Sequence, residues 1–378
     1  MGRYTLKGSP ALDARIDADM ARIADTVARS PHAPLYRAIV LLGGYGRGEG
    51  TPFLRDGREE PFNDYDLVVV ARAMPRGKQA AVRADLKRLE EQLTREVGLP
   101  VDLCLYLENR LPCAEFSLLN YEMKYGHRVV WGDAAILGRM PDYPHDAIPF
   151  SEGTRLLLNR GKLLLDIHRA VREGKDVGDE ERIKYIKFLF KALLAFGDCT
   201  LLICHEYDLR YAEKVKRIER CAATAADLPD PRFLVDGYRQ AVAFKKWTDV
   251  HAWDGWDWRR QFEAVRRYYL EFFRWYEARR LQAPAADSGA HALALARRGR
   301  ECGTFKAMAL NLQLFRGRAL ENGVGLFLTH PRARLYLALP LLLSDNPPAG
   351  LIRRLLSAPN EDCNTLEQTF YRLHRRLS

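Results

Sequence analysis

Residues 37–50 read RAIVLLGGYGRGEG, and residues 63–71 read NDYDLVVVA. In each stretch a short apolar run adjoins polar or glycine residues: the first run meets a glycine cluster, and the second follows two aspartates. Short apolar runs rich in β-branched residues are typical of buried strands. The pattern therefore predicts one strand over residues 37–42 that feeds a glycine turn, and a second strand over residues 65–71.

The flanking residues predict the rest of a small α/β layer. Residues 11–29 place apolar side chains at helical spacing, and residues 78–97 form a second predicted helix that stops at Gly98. Residues 101–107, VDLCLYL, alternate as a strand does. The order of strand, turn, strand, helix and strand predicts an N-terminal α/β (α+β) domain with a mixed sheet.

After about residue 150 the chain changes to helical patterns. The predicted helices there cover residues 154–172, 181–206, 211–223, 232–247 and 257–281. Residues 283–291, APAADSGAH, have the composition of a linker. We therefore expect an α/β domain over residues 1–150 and then an all-α region. That region comprises a helical domain over 151–282 and a C-terminal helical extension over 292–378.

Composition sets broad limits on partners and location. The formal net charge of +10 favours anionic partners and permits a nucleic-acid partner without indicating one. The seven cysteines include no C-x-x-C pair, so we expect reduced thiols. The N-terminal residues lack the apolar core of a signal peptide, and the most apolar stretch, Leu335 to Leu343, is too short to span a bilayer. We expect a cytoplasmic protein with no membrane partner.

Three aspartates occupy predicted strand positions where carboxylates are unusual. Asp64 and Asp66 are two residues apart at the start of a strand, so both should project to the same face. Asp102 lies among apolar residues of another strand, where an unpaired carboxylate would be costly to bury. Adjacent carboxylates repel unless a cation lies between them, and Mg²⁺ prefers such oxygen ligands. If the two strands are neighbours, the trio would form a two-metal site.

The glycine cluster fits phosphate chemistry. Gly43 and Gly44 would let the backbone approach a triphosphate closely and offer N–H groups to its oxygens. Arg47 adds a charged donor. A Gly-Gly pair alone, or an Asp-x-Asp motif alone, is usually an ordinary turn. Their order on predicted strands is what favours a functional site.

The Gly43-Gly44 pair, the Asp64-Tyr65-Asp66 segment and Asp102 together resemble the signature of the DNA polymerase β nucleotidyltransferase superfamily. The resemblance covers roughly residues 35–135. Within it, the string GGYGRGEG is most similar to small stand-alone nucleotidyltransferases and protein uridylyltransferases. Residues 126–133 also resemble the hydrophobic-Gly-Asp stretch that often closes this domain.

The resemblance implies that residues 1–150 form a catalytic domain that uses two Mg²⁺ ions. Asp64 and Asp66 would bind both ions, and Asp102 would bind the catalytic ion and activate the acceptor. The residues assigned to the triphosphate, with ATP favoured, are Gly43, Gly44, Tyr45, Arg47 and Lys187. One departure is that nineteen residues separate Gly44 from Asp64, more than is usual in the family. The extra stretch, residues 53–62, is interpreted as a loop insertion over the site.

Two basic features carry weaker predictions. Lys187 shares a helix face with Lys184 and Lys191 and matches the helix lysine by which related enzymes grip phosphates. A solvated basic stripe is the favoured interpretation of these three lysines. The run from Trp247 to Trp275 mixes aromatic and basic residues, which can stack nucleic-acid bases. An amphipathic helix with its aromatics in a core is the favoured interpretation.

The leading functional expectation is transfer of a nucleoside monophosphate from a nucleoside triphosphate to a hydroxyl of a small molecule or protein. An alternative is an RNA nucleotidyltransferase that extends a 3′ end, supported only by the basic charge. A further alternative is a catalytically inactive domain that binds nucleotide as a scaffold. The three intact carboxylates argue against this last interpretation.

Overall fold

The computed structural model describes residues 3–282 and 304–377, which form two compact units. The first unit comprises Met1–Pro149, Cys204–Cys221 and Asp236–Trp256, and the second comprises Phe150–Ile203, Ala222–Val235 and Asp257–Ser378. The predicted boundary near residue 150 coincides with the first change of unit, but the chain then returns to the first unit twice. The helices on both sides of residues 283–303 belong to the second unit. The predicted linker and Cys302 lie outside the described residues.

A four-stranded sheet and a three-stranded sheet belong to the first unit. The strands are β1 (Tyr36–Leu41), β2 (Pro52–Arg55), β3 (Arg58–Pro61), β4 (Tyr65–Ala71), β5 (Val101–Leu107), β6 (Arg128–Gly132) and β7 (Thr248–Asp249). The larger sheet has the order β5-β4-β1-β6, with β4 parallel to β5 and β1 antiparallel to both of its neighbours. The predicted mixed sheet is confirmed, and its two central strands, β1 and β4, are the most continuously apolar.

One face of the larger sheet is covered by two helices. The helices of the first unit's N-terminal part are α1 (Pro10–Ala28), α2 (Gly43–Arg47), α3 (Arg76–Val97) and α4 (Leu118–Tyr125). Apolar residues of α1 and α3 form one core with alternate strand residues, including Leu67 of β4 and Leu103 of β5. Successive strand residues point to opposite faces. Asp66 and Asp102, each one residue earlier, therefore point away from this core.

The predicted loop insertion at residues 53–62 is instead an ordered hairpin. Strands β2 and β3 pair in antiparallel fashion around Asp56 and Gly57, which both have positive φ angles of 49° and 74°. An Asp-Gly pair at a two-residue turn favours such a hairpin. Strand β7 extends this small sheet, because Phe53 and Leu54 pair with Thr248 and Asp249. The hairpin itself has a local sequence signal, whereas the third strand comes from a distant part of the sequence.

The second unit is helical. Its helices include α5 (Ser151–Arg172), α6 (Asp179–Ile203) and α9 (Trp258–Leu281), together with Thr304–Phe315, Val324–Phe327, Pro331–Leu342, Ala349–Leu356 and Cys363–Leu377. Helices α7 (Tyr211–Thr224) and α8 (Pro231–Lys246) begin in one unit and end in the other. The aromatic residues of α9 are buried, with Tyr269 and Phe272 fully so, and their predicted core role is confirmed. Within residues 3–282 and 304–377, no helix has both the length and the apolar character needed to cross a bilayer.

Candidate active site

Asp64, Asp66 and Asp102 converge in the first unit. The parallel pairing of β4 with β5 places Asp66 directly beside Asp102, and Asp64 precedes Asp66 by two residues. One carboxylate oxygen from each aspartate lies within 4.8 Å of the other two. Asp66 and Asp102 are exposed, while Asp64 is half-buried. The three carboxylates that the sequence singled out thus share one face of the sheet.

Local hydrogen bonds fix the register that aligns these aspartates. The Tyr65 amide donates to the carbonyl of Pro100 at 2.9 Å, which joins the start of β4 to the start of β5. The Tyr65 side chain is buried on the opposite face, where its hydroxyl donates to Asp19 Oδ2 at 3.0 Å. Tyr65 therefore anchors the strand from behind, and the aspartates on either side of it project to the open face.

The electrostatics of this face favour a cation. Burial and the nearby charges of Asp64 and Glu90 raise the pKa of Asp102, and only Lys87 opposes them. The Lys87 amine already lies 2.6 Å from a Glu90 oxygen. Clustered carboxylates resist ionisation unless a positive charge joins them. The arrangement therefore provides oxygen ligands from three carboxylates at one point.

Gly43 begins the short helix α2 beside these carboxylates. Its φ angle is +62°, in the left-handed region that glycine tolerates best. A Cβ atom at this position would lie 2.8 Å from Asp66 Oδ2. The Leu42 amide also donates to the Asp66 carbonyl at 2.8 Å. A larger residue here would strain the backbone and would displace the Asp66 carboxylate. The sequence predicts a turn at this point, and in the structure Gly43 and Gly44 are the first residues of the short helix α2.

Gly44, the next residue of α2, lies beside a lysine that the sequence did not connect with the site. A Cβ atom on Gly44 would be 3.1 Å from Lys245 Nζ and 3.1 Å from the Glu49 carbonyl oxygen. Lys245 is half-buried near the end of α8 and belongs to the first unit. The sequence placed it in the aromatic and basic run, because nothing local links it to a glycine two hundred residues earlier. The structure therefore adds an ammonium group to the glycine turn.

The side chain of Tyr45 has a structural role that the sequence did not reveal. It is 2% exposed, and its hydroxyl donates to the Thr51 carbonyl at 3.2 Å and accepts from the Phe62 amide at 2.9 Å. Its ring also packs edge-on against Tyr65. The predicted triphosphate contact therefore does not apply to this side chain, which instead ties α2 to the hairpin.

Arg47 is likewise engaged inside the first unit. Its side chain is 11% exposed and lies 2.9 Å from a Glu122 oxygen and 4.0 Å from Glu49. Burial raises the pKa of Glu49, whereas the charges of Arg47 and Lys214 outweigh burial and hold the pKa of Glu122 below its usual value. Arg47, the predicted phosphate donor, is thus the centre of a buried ion network with Glu122 and Glu49.

Lys187, the remaining predicted phosphate ligand, lies on α6 in the second unit and is half-buried. The structure therefore divides the predicted site residues into groups. Gly43, Gly44 and the three aspartates lie together, Tyr45 and Arg47 support α2 from within the core, and Lys187 stays a prediction.

Comparisons of this chain with models of protein families, with curated proteins and with solved structures gave no match.

Proposed function

We propose that the first unit is a Mg²⁺-dependent nucleotidyltransferase. It would transfer a nucleoside monophosphate from a nucleoside triphosphate, with ATP as the first candidate, to a hydroxyl of a small molecule or protein. The observation that carries the proposal is the convergence of Asp64, Asp66 and Asp102 beside Gly43. The resemblance to the DNA polymerase β superfamily supports the same assignment, since these are its signature positions.

The carboxylates fit Mg²⁺ in number, chemistry and spacing. Oxygens bound to one Mg²⁺ ion lie at most about 4.2 Å apart, because each bond is about 2.1 Å long. A trio within 4.8 Å therefore needs only small side-chain rotations to share ions. Bound Mg²⁺ would supply Lewis-acid stabilisation of the negative charge on the reacting phosphates.

Residues of the protein would bind the ions, orient the acceptor and bind the triphosphate. Asp64 and Asp66 would hold the ions, and Asp102 would orient the acceptor hydroxyl and take its proton. The hydroxyl oxygen would bond to the α-phosphorus as the bond to the β-phosphate oxygen breaks, and pyrophosphate would leave. The backbone of Gly43 and Gly44, with the Lys245 ammonium beside it, would bind the triphosphate.

Label transfer tests this proposal before the acceptor has been identified. The full chain is incubated with Mg²⁺, a cell extract and each α-labelled nucleoside triphosphate in turn. We expect label in a small molecule or protein, and none with the Asp64→Asn, Asp66→Asn variant. Asp25→Asn, at an exposed position of α1, is the matched control and should transfer label normally.

The destination of the label decides between the candidate activities. Label at RNA 3′ ends would replace the proposed acceptor with RNA. Equal transfer by the double variant and the wild type would refute the assignment of the aspartates. Nucleotide binding with no label transfer and no pyrophosphate release would identify a non-catalytic domain.

A further inference from the structure

The second unit contains a cavity of about 810 Å³ with a strongly basic lining. It lies between α5 and the helix Cys363–Leu377, with the turn Arg316–Ala319 at its side. We call it the arginine cavity. Its charged lining residues, apart from a histidine, are Lys162, Asp166, Arg169, Arg318, Arg372 and Arg375.

The single carboxylate in this lining is already engaged. Asp166 Oδ2 lies 3.0 Å from Lys162 Nζ, and Asp166 Oδ1 accepts a 2.6 Å hydrogen bond from the Tyr371 hydroxyl. Asp166 therefore balances Lys162 and has little capacity left for the arginines. Arg169 lies 5.5 Å from the centre of the Tyr371 ring, which attracts a cation but carries no charge.

Four arginines remain without a compensating charge. Among residues 3–282 and 304–377, no carboxylate lies within 4.0 Å of a side-chain nitrogen of Arg169, Arg318, Arg372 or Arg375. Arginine stays protonated at any physiological pH, so these groups cannot relieve their mutual repulsion by losing a proton. A bound anion would compensate these charges more directly than water and dissolved salt do.

The shape and chemistry of the lining narrow the class of anion. A planar guanidinium donates two parallel hydrogen bonds to a phosphate, which makes arginine a preferred phosphate ligand. Four arginines are more than one phosphate group requires. The volume falls within the range of about 300–1,000 Å³ that is typical of sites for small molecules. A compact ligand with several phosphate groups satisfies both the charge and the size.

We propose that the arginine cavity binds a small molecule with a chain of linked phosphates. Two sources share this chemistry, a nucleoside triphosphate and an inorganic polyphosphate. The proposal does not depend on the nucleotidyltransferase assignment, because every residue that supports it belongs to the second unit.

Calorimetric titration with sodium tripolyphosphate tests the proposal. The full chain carries Asp64→Asn and Asp66→Asn, and the buffer contains EDTA, so that a metal-dependent site in the first unit cannot contribute. We expect binding of one tripolyphosphate per chain. Substitution of Arg372 and Arg375 by glutamine should weaken binding at least about tenfold, because it removes charge-assisted hydrogen bonds.

Matched variants separate a site from general surface charge. Arg376 is exposed on the same helix but does not line the cavity, so Arg376→Gln should leave the affinity within about twofold of wild type. Arg318→Gln changes an exposed cavity residue on a different element and should weaken binding as well. Because all of these arginines are exposed, the variants should keep the thermal stability of the wild type.

A second titration with ATP distinguishes the two sources. Affinity for ATP equal to that for tripolyphosphate identifies the phosphate chain as the recognised group, and much tighter ATP binding identifies a nucleotide site. Absence of tripolyphosphate binding at low salt would overturn the proposal. So would an equal effect of Arg376→Gln, or tight binding of single-stranded RNA that tripolyphosphate does not displace.

Discussion

Asp66 of β4 and Asp102 of β5 lie side by side in the parallel register of the central sheet, and both point away from the helical core. Neighbouring carboxylates repel, and a divalent cation between them would remove that repulsion. Asp64 and the backbone of Gly43 lie beside the same pair of carboxylates.

Replacing Gly43 with alanine should impair the site more than the fold. The new Cβ would lie 2.8 Å from Asp66 Oδ2, and the φ angle of +62° adds backbone strain of about 1 kcal/mol. We expect loss of label transfer and of divalent-ion binding in a chain that still folds.

Gly57→Ala is the matched control for this strain. Gly57 has a similar φ angle of +74°, but a Cβ atom at this position would meet no heavy atom within 4 Å. Its variant should lose comparable stability in urea unfolding and retain label transfer. Equal activity of the Gly43 and Gly57 variants would show that the close approach to Asp66 has no functional role.

Lys245→Gln should weaken triphosphate binding. The ammonium group lies beside Gly44, so its removal takes away a positive charge next to the glycine turn. We expect KM for the triphosphate to rise about tenfold, as for loss of one charge-assisted hydrogen bond, with a smaller change in kcat. Lys246→Gln, at the adjacent half-buried position, is the control. Identical kinetics for the two variants would argue against a phosphate contact by Lys245.

His168 of α5 should make the second unit sensitive to acid. Burial lowers the pKa of His168 below its ordinary value of 6.5, and the charges of Arg266 and Arg172 lower it further, against Glu367 and Glu263. The unfolded chain therefore takes up a proton at this residue at a higher pH than the folded chain does. Its stabilising contribution is complete above about pH 6.5 and is lost as the pH falls through the folded pKa.

Urea unfolding between pH 7.5 and 5, a range of roughly one pH unit or more on each side of the ordinary pKa, measures this effect. His168→Gln should flatten the decline in stability at acid pH, whereas His145→Gln, at an exposed position, should leave it unchanged. The same acid slope in wild type and His168→Gln would mean that other groups cause the decline.

Local sequence patterns were sufficient to predict the central strands and the side-chain faces of Asp64 and Asp66. Apolar runs and period-two alternation are local properties, and the parallel neighbour that carries Asp102 follows a single helix, as short crossover connections commonly do. Strand alternation and a neighbouring parallel strand were therefore enough to predict that the three carboxylates converge.

The errors arose where distant segments meet. Strand β7 and Lys245 lie far along the sequence from the hairpin and the glycine turn. No local sequence pattern connects them. Tyr45 and Arg47 sit in a glycine-rich string that looks exposed, yet Thr51 and Glu122 engage them in the core. The Asp56-Gly57 pair was the one local signal for the hairpin that the loop interpretation overlooked.

Divalent-ion binding tests the central claim most directly, because it requires no acceptor. Mn²⁺ can be titrated by electron paramagnetic resonance into the wild type and the Asp66→Asn, Asp102→Asn variant, each with a non-hydrolysable triphosphate analogue. We predict that the variant binds at least one Mn²⁺ ion fewer per chain than the wild type. Equal binding of Mn²⁺ by both proteins would contradict the assignment of these aspartates as metal ligands.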